Sequence, residues 1–155
     1  MRYGNSPKRV AEYMLYVANE QKRPLTPMQV LKLVYIAHGW LLGLYGRPLV
    51  NESVEAWQYG PVIPSLYHDY KRYGSSPIDS IPSVKPTSDF DDAEMSVMNQ
   101  VWKGYGYRSG VSLSSLTHEP GTPWSITVQQ SGLGAEISND LIEDYYKRLA
   151  ANRHG

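Results

Sequence analysis

Thr117-His118-Glu119 is the segment with the most obvious chemical potential. A histidine beside a carboxylate can serve as a general base with an orienting acid. Such a base needs a nucleophile and an oxyanion-binding loop, and neither is signalled nearby. The preferred reading is that these residues cap a short helix and fix the turn after it. The four histidines, His38, His68, His118 and His154, contain no pair at helical metal-binding spacing, and cysteine is absent. There is no Gly-x-Gly-x-x-Gly, P-loop, His-Glu-x-x-His or Gly-x-Ser-x-Gly segment. No catalytic residue, metal site or cofactor is therefore expected, with a hydrolase or transferase built on His118 and Glu119 kept as an alternative.

Binding chemistry is better represented. Residues 55–67 crowd Trp57, Tyr59, Gly60, Pro61, Pro64 and Tyr67 around one sharp bend. Such a bend can be a rigid strand-to-helix corner, a preformed surface on which a partner docks, or both. Rigid aromatics lose little entropy on binding, which is why they serve as interface anchors. Tyr67 to Tyr73 interleaves aromatics with His68, Lys71 and Arg72, as single-strand binders do. Tyr67 and Tyr70 also sit at core spacing, and the zero net charge argues against a nucleic-acid partner. Lys32 is the one formally charged residue between Thr26 and Tyr45. It either snorkels outward along its stem or pairs with an acid, buried or from a partner. His38, on an apolar stripe, reads as a core histidine hydrogen-bonded to a tyrosine or a carbonyl.

The elements that position these residues follow from local signals. Thr26-Pro27 with Gln29 is a capping box with proline at the first helical position, and Gly46 is a left-handed stop. The helix between them is apolar on most sides, so it should be a buried central pillar. Its uncharged run after Lys32 is too short to span a membrane. Gly39 and Gly43, one turn apart, would let another helix approach closely. Ser6-Pro7 opens an amphipathic helix over about 7–20. Leu49-Val50 and Val54–Tyr59 are expected to form a two-stranded hairpin ended by Gly60-Pro61. Pro64 opens a helix to Tyr73, with Leu66, Tyr67 and Tyr70 inward. Residues 75–88 hold three prolines and five serines and are expected to be a surface loop, partly disordered, with room for a third strand. Acidic residues 89–94 start a helix with Met95, Met98, Val101, Trp102 and Tyr105 as its apolar stripe. A short helix with Val111, Leu113 and Leu116, a brief helix from Thr122-Pro123, and a last helix over about 139–151 complete the chain.

The expected fold is thus mainly α, a compact bundle around the central helix with a small antiparallel β element. At 155 residues, one domain spanning 1–155 is the simplest organisation. Thirteen Tyr and four Trp against one Phe favour half-buried positions and interfaces. Absent cysteine fits a cytoplasmic location, and MRYGNSPKRV lacks the apolar centre of a signal peptide.

Three stretches, LTPMQVLKLVYIAHGW (25–40), LYGRPLVNESVEAWQYGPVIPSLYHDYKRYG (44–74) and LTHEPGTPW (116–124), are similar to the Panacea domain family. This family comprises small phage- and prophage-associated proteins that include GepA-like and SocA-like antitoxins. The resemblance implies a mostly helical protein that binds and neutralises a cognate toxin encoded nearby, without enzyme activity. It also allows a protease adaptor that delivers the toxin for degradation; a homodimer is a further possible partner arrangement. By position it points to Trp57, Tyr59, Gly60, Pro61, Tyr67, Thr117, His118, Glu119 and Trp124 as partner-binding residues. Lys32, Tyr35, His38 and Trp40 would support them. No appended DNA-binding region is expected.

Overall fold

The structure is a computed structural model that describes residues 4–153; His154 lies outside them. Among the described residues there are seven α-helices and a small sheet. They are α1 (Pro7–Glu20), α2 (Pro27–Tyr45), β1 (Val54–Trp57), β2 (Gly60–Val62), α3 (Pro64–Tyr70), α4 (Asp92–Tyr105), α5 (Gly110–Thr117), α6 (Pro123–Ser131), β3 (Glu136–Ile137) and α7 (Asn139–Arg153). The chain is mainly α with a small antiparallel β element, as the sequence implies.

Helix α2 is the expected pillar. The Thr26 side chain accepts from the Gln29 N–H, the Gln29 side chain accepts from the Thr26 N–H, and Gly46 adopts φ 71°. From Val30 to Leu42 every residue is buried, Lys32 and His38 included. Helices α1, α4, α5 and α7 surround it, and α7 packs on it most extensively. The two glycines explain that closeness. A Cβ at Gly43 would lie 2.6 Å from the Tyr146 Cβ, and one at Gly39 would run into the Tyr146 ring. Tyr146 in turn meets Tyr35 and Trp40 edge-on, at centroid distances of 6.4 and 5.2 Å. No helix among the described residues is long and apolar enough to cross a membrane.

The β element differs from the sequence expectation. The hairpin joins β1 to β2, not residues 49–50 to 54–59. Gln58-Tyr59 form the turn, with Trp57 opposite Gly60 and Glu55 opposite Val62. Gly60-Pro61 therefore opens the second strand instead of ending the sheet. Proline fits there because β2 lies at the sheet edge, in the order β2-β1-β3. Val50 makes an isolated parallel bridge to Asn5. The third strand comes from Glu136–Ile137, not from 75–88, and pairs Val54 with Ile137.

Two side chains and two backbone segments add detail. Val111 is exposed, whereas Leu113 is buried. Tyr67 is 37% exposed instead of inward, while Leu66 and Tyr70 of the same helix are buried. The α3 helix tightens into a 3₁₀ turn over Lys71–Tyr73 before Gly74. The 75–88 loop is anchored by buried Ile78, whose N–H donates to the Leu25 carbonyl. The next helix starts as its acidic residues imply: Asp91 and Glu94 form a reciprocal capping box.

Candidate functional site

The bend at Tyr59-Gly60-Pro61 lies over α2 and against α5. Buried Lys32 holds it from below, donating from Nζ to the Pro61 carbonyl at 2.9 Å. This outcome is neither outward snorkelling nor pairing with a buried acid. No ion pair involves Lys32 among the described residues. Burial alone pushes its amine down from the ordinary lysine range to about 7. Gly60 sits over the ammonium with φ 115°, and a Cβ there would lie 3.0 Å from Lys32 Nζ and 3.2 Å from Thr117 Oγ1. Glycine is needed on both counts, the left-handed backbone and the lack of space.

The α5 helix fixes the bend from the side. The Ser114 hydroxyl donates to the Tyr59 carbonyl at 2.6 Å. One turn on, Thr117 is buried, and its hydroxyl bonds the Leu113 and Ser114 carbonyls. With both backbone groups of the turn held, the Tyr59 side chain still projects outward, 61% exposed. Serine 114 was not singled out by sequence. Its three-residue spacing from Thr117, which puts both on one helix face, is the available signal.

The aromatics form a continuous band. Trp57 meets Tyr67 edge-on at 5.1 Å between centroids, and Tyr67 meets His68 at 5.5 Å. The Trp57 indole N–H donates to Glu55 at 2.9 Å, so its ring is held from two directions. The Trp57 carbonyl accepts the Trp124 indole N–H at 2.6 Å. Trp124 then lies against His118, with centroids 5.2 Å apart. Thr122 caps α6 and so orients Trp124; its hydroxyl also donates to the Glu119 carbonyl. Residues Thr117, His118 and Glu119 thus end a helix and set the following turn, as the preferred sequence reading has it. His118 contacts Trp124, its Nδ1 has no hydrogen-bond partner, and Glu119 is exposed.

The carried-over residues separate by burial. Gly60, Pro61 and Thr117 are buried beneath the bend. Trp57, His118 and Trp124 are half-buried, while Tyr59, Tyr67 and Glu119 reach solvent. Tyr35 lines a cavity of about 30 Å³ next to Thr117 and Thr122, and burial raises its phenol. His38 and Trp40 are not part of the corner. His38 Nδ1 accepts from the Leu49 and Val50 N–H groups, so Nε2 carries the proton and donates to Asn139 Oδ1 at 3.0 Å. Its partners are thus two backbone amides and the side-chain carbonyl of Asn139, so the expected carbonyl is present, from a side chain, and no tyrosine bonds it. Burial lowers its pKa to about 4, opposed by the Asn139 bond. The Trp40 indole donates to the Tyr105 hydroxyl at 3.1 Å.

The geometry offers a stiff aromatic surface with a charge beneath it. Among the described residues, no three His, Asp or Glu side chains gather as metal ligands would. Residues 30–125 match the model of a family described as "Antitoxin SocA-like, Panacea domain". The chain belongs to this family. Over 153 residues it is 31% identical to a protein named Antitoxin SocA from Caulobacter vibrioides (strain NA1000 / CB15N), covering 89% of this chain and 80% of that relative. No solved structure matches the chain. All the corner residues, Lys32 to Trp124, fall inside the span matched by the Panacea domain model, whereas Tyr146 and the rest of α7 lie beyond it.

Proposed function

We propose that the chain is a non-enzymatic, cytoplasmic antitoxin that neutralises a cognate toxin by direct contact through the aromatic corner. Membership of an antitoxin family supports the role, and one observation carries the choice of surface. Tyr59 projects into solvent from a turn whose two neighbouring carbonyls are held by Ser114 and Lys32. A large aromatic on a fixed backbone binds with little backbone ordering cost. Trp57, Tyr67, Trp124, His118 and Glu119 extend the surface, while Gly60, Pro61 and Thr117 shape it from below.

The test is co-expression with the product of the neighbouring gene, followed by measurement of affinity. Tyr59→Ala and Trp57→Ala should each weaken toxin binding by roughly 2 kcal/mol if they are hot spots. Tyr59→Ala removes an exposed ring and should leave the thermal midpoint unchanged. Steady toxin abundance accompanies masking, whereas a fall would indicate delivery to a protease. Full neutralisation by a folded Tyr59→Ala, Trp57→Ala double variant would move the docking surface elsewhere.

A further inference from the structure

Lys32 is a buried ammonium with no counter-ion among the described residues. Its three N–H donors meet one partner, the Pro61 carbonyl at 2.9 Å. Among the described residues, no neighbouring element sets a compensating charge against it. On α2, its own helix, Tyr35 and His38 are buried and neutral at pH 7. On α5, the Thr117 hydroxyl is engaged with its own helix, and His118 and Glu119 follow. On β1, Glu55 accepts from the Trp57 indole. Strand β2 contributes no titratable group. None of these forms an ion pair with Lys32, and burial is the sole influence on its amine. Buried charges are ordinarily paired, and an unpaired one is costly.

The buried Gly60 lies between this charge and the exposed turn residue Tyr59. A Cβ on Gly60 would stand 3.0 Å from Nζ, so the backbone there packs directly on the amine. The exposed Tyr59 ring stands next to it in sequence and would help exclude water from anything seated there.

We propose that the corner recognises an acidic side chain of its protein partner, a single carboxylate seated at the exposed Tyr59 turn, over the Lys32 ammonium. The proposal rests on the corner being the toxin-docking surface. Glu119 and Glu55 on the flanking segments would repel a longer acidic run, so one carboxylate fits better than several. At about 6 Å and an effective dielectric near 20, such a pair is worth roughly a hundredfold in affinity. The complex favours the charged amine, so binding takes up a proton wherever free Lys32 is neutral.

The experiment measures the dissociation constant for the neighbouring-gene toxin at pH 7 and pH 9, for the wild type and Lys32→Met. In parallel, the Cε resonance of Lys32 in ¹³C-lysine-labelled wild type is titrated free and bound. Wild-type binding should weaken about tenfold or more from pH 7 to pH 9, and Lys32→Met should lose that dependence. The Lys32 resonance should titrate near neutrality when free and at higher pH in the complex. One acid-to-amide substitution in the partner should reproduce the Lys32→Met result. Wild-type binding with equal affinity at both pH values and an unshifted Lys32 titration overturns the proposal, whether or not the variant folds. Absence of any wild-type binding instead removes the toxin-docking reading on which it stands.

Discussion

Replacing Lys32 by methionine should stabilise the protein at neutral pH. The side chain is fully buried, and methionine fills a similar volume without a charge. An amine lowered from 10.5 to about 7 lies below its unfolded value. The unfolded chain therefore binds more protons between these limits, and stability rises with pH across that window. Lowering the amine from 10.5 to about 7, at about 1.4 kcal/mol per tenfold change in proton affinity, gives a cost near 4 kcal/mol at pH 7, where the folded amine is half charged. Against this, Lys32→Met leaves the Pro61 carbonyl without its donor, a loss of about 1–3 kcal/mol. The variant should be about 2 kcal/mol more stable at pH 7. By pH 9.5 the wild type regains about 3 kcal/mol, so the advantage disappears or reverses. Above pH 10 the trend turns, because burial raises Tyr35 and Tyr146 and the unfolded chain then ionises first. Denaturant unfolding of both proteins at pH 7 and 9.5 measures the difference. A variant less stable by the same amount at both pH values would refute the reasoning, since it would show that Lys32 carries no penalty to relieve.

Other expectations follow from the same packing. Gly39→Ala adds a better helix former yet drives a methyl into the Tyr146 ring, so it should cost about 1–3 kcal/mol by thermal unfolding, partly recovered by Tyr146→Leu. His38, lowered to about 4 from 6.5, should make stability fall by about 3 kcal/mol as pH drops from 6.5 to 4, because the unfolded chain charges first. His38→Ala should flatten that acid limb while lowering stability at pH 7, which a pH series of unfolding curves will show. Gly60→Ala places a side chain at φ 115° against Lys32 Nζ and should cost about 1–3 kcal/mol, read as a lower thermal midpoint.

The pillar was legible because each signal was local. Thr26, Pro27, Gln29 and Gly46 are helix-end chemistry that no distant contact needs to complete, and the close approach at Gly39 and Gly43 follows from missing side chains. The hairpin was misplaced for the opposite reason. Gly60-Pro61 reads as a stop in isolation, but an edge strand tolerates proline and a glycine there admits the φ that the turn requires. Strand β3 is two residues long and is defined by pairing with β1, so it has no pattern of its own. For the site, composition picked out the corner but not its layering. That Gly60, Pro61 and Thr117 lie below while Tyr59 and Tyr67 lie outside depends on α5 meeting the bend. Lys32 and Tyr67 show the same limit. Helical spacing gives a residue's direction, and the neighbouring element decides whether that direction leads to solvent.

His38 joins residues far apart in the chain, the amides at 49 and 50 and the side chain of Asn139. The helix that begins at Asn139 also covers the glycine face of the pillar, and the ribosome makes it after every other described element. A nascent chain must therefore carry the glycine face of the pillar uncovered until α7 emerges. The seating of Tyr146 on Gly39 and Gly43 then forms only once α7 has been made.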